Sequence, residues 1–376
     1  MPKIRVLIVD DSVVVRRLVS DCLAGDPEIE VVGTAADGQI ALAKIPQVNP
    51  DLVTLDIEMP VLDGLQTVSA IRKTYAKLPV IMFSTLTERG GAATLDALAR
   101  GANDYVTKPA NVGSVAQSIE RVREDLIPKI KSLCRRAAPV VLACPIIRPP
   151  KPPVAGSGSP LGSAASFVSS RVDVLAIGVS TGGPNALAAM MPGLAKRFPV
   201  PIVIVQHMPP LFTRMLAERI EAVTGMPTRE GVAGAILKPG EIWVAPGGHH
   251  MDLEKTPEGV RLRVHDAPPE NSCRPAVDVL FRAVAKIYGP RALSVILTGM
   301  GQDGLVGCQH IREAGGQVLV QDEATSVVWG MPGAVATAGL AQKILPLGEI
   351  AAEINLRVAP RFPTVAPLST VLPKAS

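Results

Sequence analysis

Short apolar runs that each stop at a chemically loaded residue constrain this chain more than any other feature. Val6–Val9 runs into Asp10 and Asp11, Leu52–Leu55 into Asp56, Val80–Phe83 into Ser84, and Tyr105–Thr107 into Lys108. A further run, Val31–Ala35, lies between the first two. Runs this short and this apolar are strands buried on both faces, and the stretches between them carry helical spacing. Strands alternating with helices form a doubly wound parallel sheet. The last helix of the series carries Val115, Ile119, Val122 and Leu126, and Pro128 is expected to kink or end it.

The pattern recurs in the second half, starting at VDVLAIGVS and continuing to about residue 356. Between the two halves, Pro139, Pro145, Pro149, Pro150, Pro152, Pro153 and Pro160 stand among Gly, Ser and Ala. That composition reads as a linker. The expected organisation is a first domain over 1–125, a linker over 126–170, a second domain over 171–356 and a disordered Pro-rich tail over 357–376. Composition agrees with two α/β cores. Of the 376 residues 47% are hydrophobic and only 3% aromatic, so the cores are built from Val, Leu, Ala and Ile.

Other function classes are disfavoured. A net charge of +4 is too small and too dispersed for a nucleic-acid binder, and no basic helix follows the linker. Cys22, Cys134, Cys144, Cys273 and Cys308 are scattered, with no CxxC pair to hold a metal. The apolar run at the N-terminus is too short for a signal peptide, and no stretch of about 18 apolar residues exists. A cytoplasmic location without membrane insertion is expected.

In a parallel sheet the functional edge lies where the strands end. The first domain gathers Asp10, Asp11, Asp56, Ser84 and Lys108 there. Capping of the following helices is the plainer reading of any one of these acids. Jointly, three carboxylates need a cation, and hard oxygen ligands suit Mg²⁺. One carboxylate can then take a phosphoryl group, with Lys108 facing the added charge.

The segments VLIVDDS, LVTLDIEMPVLDG, the Ser84–Thr85 pair and YVTKP make residues 1–125 resemble the response-regulator receiver family, with its flavodoxin-like fold. The resemblance implies Asp56 as phosphoacceptor, Asp10 and Asp11 as Mg²⁺ ligands with it, Ser84 as the switch hydroxyl and Lys108 as the phosphate contact. It also implies a cis Lys108–Pro109 bond and a histidine kinase as phosphodonor.

In the second half, one strand ends at Ser180, PIVIVQH ends at His207, and ALSVILTGMGQDG leads to Asp303. A serine hydroxyl attacks only when a base takes its proton. A histidine can do so, and a carboxylate fixes its tautomer. Ser180-Thr181-Gly182-Gly183-Pro184 opens a helix, whose N-terminal amides are ready oxyanion donors. Thr181, Gly182 and, from the second Gly turn, Met300 are the candidates. Gly178-Val-Ser180-Thr-Gly182 fits a nucleophile elbow, but α/β-hydrolases need a histidine after the acid, and His310 is the only one after residue 265. Ser180 also stands where GxGxxG needs its middle Gly, and no Walker lysine is present. The paired His249 and His250 read as surface loop residues.

IGVSTGGP, VIVQHMP, VAPGGHHM, CRPAVDVLF, LTGMGQDG and QDEATSVVWGMPGAV resemble the Rossmann-like catalytic domain of the chemotaxis protein-glutamate methylesterases over about residues 172–356. The family commonly has Ala where this chain has Val179. The resemblance implies a Ser180–His207–Asp303 triad with no cofactor in the esterase site, and Arg274 as a substrate contact. It further implies phosphorylation-controlled hydrolysis of glutamate γ-methyl esters on methyl-accepting chemoreceptors, together with glutamine deamidation. The competing expectation is a non-enzymatic response regulator whose second domain only docks.

Overall fold

The computed structural model describes residues 2–108, 115–134 and 171–359. The first domain runs β1 (Ile4–Val9), α1 (Val13–Ala24), β2 (Ile29–Ala35), α2 (Gly38–Val48), β3 (Leu52–Asp56), α3 (Gly64–Thr74), β4 (Val80–Ser84), α4 (Glu88–Ala99), β5 (Asp104–Thr107) and α5 (Val115–Cys134). Its five strands are parallel, in the order β2-β1-β3-β4-β5. All five expected strands are present, each within two residues of the expected start. The helix caps fall to other residues than the strand-end acids. Ser12 accepts from Val15 N at the start of α1, and Asp63 and Gln66 form a capping box on α3. Asp10, Asp11 and Asp56 are thereby left for other work.

Pro128 does not end α5. The helix continues to Cys134, past the expected boundary at 125, because its last turns are tied down on both sides. Leu126, Ile127 and Ile130 pack with Val19 and Leu23 of α1, and Lys131 pairs with Asp26 and Glu28. Burial and ion pairing outweigh the hydrogen bond that proline removes. The Lys108–Pro109 bond, the Pro-rich segment from 135 to 170 and the tail from 360 lie outside the described residues.

The second domain runs β6 (Val174–Val179), α6 (Gly183–Met190), β7 (Ile202–Gln206), α7 (Phe212–Thr224), β8 (Thr228–Glu230), β9 (Ile242–Val244), β10 (His250–Thr256), β11 (Gly259–His265), α8 (Val277–Tyr288), β12 (Ala292–Ile296), α9 (Leu305–Glu313), β13 (Gln317–Gln321), α10 (Met331–Thr337), β14 (Lys343–Leu345) and α11 (Leu347–Val358). Seven strands form a parallel sheet in the order β14-β13-β12-β6-β7-β9-β8. The antiparallel hairpin β10–β11 stands apart and was not apparent in the sequence. α11 reaches Val358, so the first residues of the expected tail are helical.

The chain leaves β6 toward β7 on one side and returns to β12 on the other, so the strand order reverses at β6. A crevice opens at the carboxyl ends on either side of such a switch point, and ligands of open α/β sheets sit there.

The two domains share one core. Leu95, Leu98 and Tyr105 of the first belong to the same buried cluster as Leu187, Phe212 and Leu216 of the second. Tyr105 stacks on Phe212 with ring centroids 5.0 Å apart and planes 5° from parallel. Arg214 pairs with Glu88 at 2.6 Å, and Asn185 donates to the Leu98 carbonyl at 2.7 Å. Among the described residues no helix is long and apolar enough to cross a membrane.

Candidate active site

Val179 and Gln206 are register partners in β6 and β7, so Ser180 and His207 follow directly as neighbours at the sheet edge. Gln206 holds them there, its Nε2 donating to the carbonyls of Ser180 (3.0 Å) and His207 (3.3 Å). On the other side, Ser180 N donates to Thr298 O at 3.0 Å, tying the serine to the segment after β12. The turn into α6 needs both its glycines. Gly182 sits at φ +76°, and a Cβ on Gly183 would lie 1.9 Å from Gln206 Oε1. Among the described residues the amides of Thr181, Gly182 and Met300 donate to no acceptor, as oxyanion donors require.

Asp303 is buried and takes up five N–H donors. Its Oδ2 accepts from His207 Nε2 (2.8 Å) and Val277 N (2.6 Å). Its Oδ1 accepts from Asn271 Nδ2 (2.9 Å), Asp278 N (3.0 Å) and Gly304 N (3.0 Å). Burial alone would raise its carboxyl. The hydrogen bond and charge of His207, with the Val277 and Asp278 amides, outweigh burial and hold it below its ordinary range. Burial likewise pulls His207 down, but Asp303 and Cys273 outweigh it and the imidazole rises to about 9.

Nε2 is committed to Asp303, so Nδ1 is the nitrogen left to take a proton. The Cys273 Sγ lies against it at 3.6 Å. His207, Cys273 and Asp303 present an imidazole, a thiol and a carboxylate within 4.8 Å of one another. The lone pairs of Asp303 are already filled by N–H donors, so this trio is built for proton transfer rather than as a metal cage. Among the described residues the Ser180 hydroxyl makes no hydrogen bond, so the serine–histidine link is not formed in this state.

The segment 270–278 completes the site, and sequence reasoning drew only Arg274 from it. Asn271 Nδ2 bridges Asp303 and Asp278, the latter at 2.9 Å. Burial pushes the Asp278 carboxyl up, and the charge of Asp303 adds to this. Arg274 is half-buried, its guanidinium donating to the carbonyls of Asp266 and Ala267 at 3.2 Å. The histidine pair divides, which corrects the surface reading of His250. His249 is exposed beside Asp266. His250 is fully buried, accepting from Ala276 N at 3.3 Å and donating to Pro268 O at 3.1 Å. It braces both ends of the 268–276 segment.

In the first domain, Asp10, Asp11 and Asp56 bring carboxylate oxygens within 4.8 Å of one another. Lys108 Nζ stands 2.9 Å from Asp10 Oδ2 and 2.8 Å from Asp56 Oδ2. Its position satisfies charge but not hydrogen-bond geometry at the buried Asp10 Oδ2, which is otherwise unpartnered. An all-carboxylate set with an orphaned oxygen fits a hard divalent cation. Burial, with the charge of Asp10, raises Asp56 to about 6, against the pull of Lys108. Asp11, Asp56, Ser84 and Lys108 line one pocket of about 200 Å³. The Ser84 hydroxyl is held by α4, donating to Gly90 O at 3.1 Å and accepting from Thr94 Oγ1 at 2.6 Å.

The chain matches two known families in turn. Residues 6–120 match the response regulator receiver domain, and residues 175–354 match the CheB methylesterase. A protein-glutamate methylesterase/protein-glutamine glutaminase of Trichodesmium erythraeum is 55% identical over 95% of this chain and 100% of its own length. One of the same name from Nocardioides sp. is 54% identical over 98% of this chain and 99% of its own. The crystal structure of the Thermotoga maritima CheB methylesterase catalytic domain is 39% identical, covers 50% of this chain and 99% of that one, and has a TM-score of 0.49. With near-complete relatives at this identity and both domains matched in order, the chain belongs to the family of protein-glutamate methylesterase/protein-glutamine glutaminases, each a receiver joined to a methylesterase domain.

Proposed function

We propose that this chain hydrolyses glutamate γ-methyl esters on chemoreceptors, releasing methanol, and deamidates glutamine at the same site, under control of phosphorylation at Asp56. The observation that carries the reading is the hydrogen bond of His207 to the buried Asp303 beside Ser180, at the switch point of the sheet. Ser180 Oγ attacks the carbonyl, its proton passes to His207 Nδ1, and Asp303 stabilises the imidazolium. The amides of Thr181, Gly182 and Met300 face the developing oxyanion. His207 then gives its proton to the leaving methanol or ammonia, and water releases the glutamyl-enzyme by the reverse sequence.

In the receiver, Asp10, Asp11 and Asp56 would hold Mg²⁺, which neutralises charge on the phosphoryl group when bound. A histidine kinase supplies that group, and Asp56 accepts it. Ser84 and Lys108 then turn toward the new charge. Arg274 holds the two carbonyls through Nη1 alone, which leaves Nε and Nη2 to meet substrate. A docking-only second domain is not favoured, since a passive surface has no need of a His–Asp pair whose buried carboxylate is backed by four further N–H donors. The test is methanol release from methylated receptor membranes with and without a small-molecule phosphodonor. Release that the phosphodonor raises supports the reading. No release under either condition favours docking alone.

A further inference from the structure

Cys273 is unlike the other described cysteines. Cys22 and Cys308 are buried, and Cys134 donates to Asp51 O at 3.7 Å. Burial pushes their thiols up, to about 11 for Cys22, about 12 for Cys134 and further for Cys308. Cys273 is only half-buried and stands in the esterase site. Two successive left-handed residues, Asn271 (φ +52°) and Ser272 (φ +61°), deliver it there, and its backbone is paired both ways with Glu270. Such backbone is uncommon outside glycine and is held in place by the surrounding structure.

We propose that Cys273 is a covalent modification site for small soft electrophiles, served by the imidazole that serves Ser180, and that its occupation shuts the esterase. The inference rests on the reading of His207 as the base. Asp303 fixes the proton on Nε2, so in the neutral imidazole the Nδ1 lone pair faces Sγ at 3.6 Å. The group that must deprotonate a serine therefore already faces a thiol, which gives up its proton more readily and is the better nucleophile. With an alkyl halide, the sulfur–carbon bond forms as the carbon–halogen bond breaks. The halide leaves with the bonding pair, and the thiol proton passes to Nδ1. The adduct then lies against the nitrogen that has to receive the Ser180 proton.

Iodoacetamide labelling of the full-length chain, read peptide by peptide by mass spectrometry alongside methanol release, tests this. Cys273 should label at least tenfold faster than Cys22, Cys134 and Cys308, with activity falling in step. His207→Ala should slow labelling of Cys273 about tenfold. Cys273→Ala and Cys273→Ser should hold whatever activity they have throughout the treatment. Ser180→Ala should label at the wild-type rate while lacking esterase activity, which separates this inference from the triad itself. Labelling of Cys273 no faster than the other three, indifference to His207, or equal loss of activity in the Cys273 variants would overturn it.

Discussion

Thr181 Oγ1 donates to Asp104 Oδ2 at 2.8 Å, joining the residue after the candidate nucleophile to the receiver's β5. Both side chains are buried. Asp104 is also faced by Lys129, 3.8 Å away on α5, which in turn pairs with Asp125. Burial raises the Asp104 carboxyl against the pull of Lys129 and Thr181. One residue further along β5, Tyr105 stacks on Phe212. The strand that carries Lys108 toward the phosphorylation site is thus the strand that grips the esterase edge.

Ser180→Ala should abolish ester hydrolysis with the fold intact, a loss on the order of 10⁶ in turnover. His207→Ala should cost about as much. Asp303→Asn should cost less, about 10⁴, because the imidazole keeps its position but loses the right tautomer. Turnover is read as methanol from methylated receptor membranes, and folding as circular dichroism. More than a few per cent of activity in Ser180→Ala would exclude Ser180 as the nucleophile.

The pH profile should carry the mark of His207. With its pKa near 9, the imidazolium predominates at neutral pH, and the neutral base appears only as pH rises. In the resting chain kcat/KM should therefore climb up to about pH 9. Asp303→Asn removes one of the two partners that outweigh burial, so its limb should move down toward the ordinary histidine value of about 6.5. Stability runs the other way. A raised histidine stabilises the fold fully below about 6.5, and that contribution is lost as pH rises through 9. A limb below pH 7 in the wild type would contradict this electrostatic picture.

Much of both sites is legible along the chain because each key residue ends an apolar run. Asp10, Asp56, Lys108, Ser180 and His207 needed only a strand and its direction to be placed. What escaped depends on contacts between distant segments. Asn271 and Cys273 follow no strand and reach the site through a left-handed turn. His250 looks like half of a loop pair, yet it begins β10 and is buried under the loop it braces. Pro128 looks like a stop, but the ion pairs of Lys131 lie about a hundred residues away in sequence and have no local signature. The hairpin β10–β11 was missed for a related reason: its strands mix charged and apolar residues and lie outside the parallel sheets.

Asp56→Asn should remove phosphodonor labelling, a base-labile acyl phosphate in the wild type. It should also stabilise the chain in Mg²⁺-free buffer, by about 1–3 kcal/mol, since a shift from 3.8 to about 6 marks a carboxylate held at a cost beside Asp10. That cost is fully present above about pH 6 and is relieved as pH falls toward 4. Mg²⁺ should raise the melting temperature of the wild type more than that of Asp56→Asn. Wild-type labelling in Asp56→Asn would show the carboxylate assignments to be wrong.

We propose that the resting receiver restrains the esterase through the Thr181–Asp104 bond and the Tyr105–Phe212 stack, and that phosphorylation loosens both. A tenfold gain in activity needs only about 1.4 kcal/mol of coupling, within the reach of one buried hydrogen bond. Asp104→Ala should thus raise methanol release without phosphodonor several-fold and shrink the further response to it. Deleting residues 1 to about 165 should raise basal activity more and erase the response. The exposed Phe212 face will lower the stability of the truncated chain, so its activity must be compared per folded molecule. Thr181 belongs to the site itself, so Asp104, which does not touch substrate, is the better place to cut the link. If neither Asp104→Ala nor the truncated chain is faster than the resting full-length protein, restraint by contact fails. The receiver would then act by bringing the enzyme to its receptors or by direct stimulation.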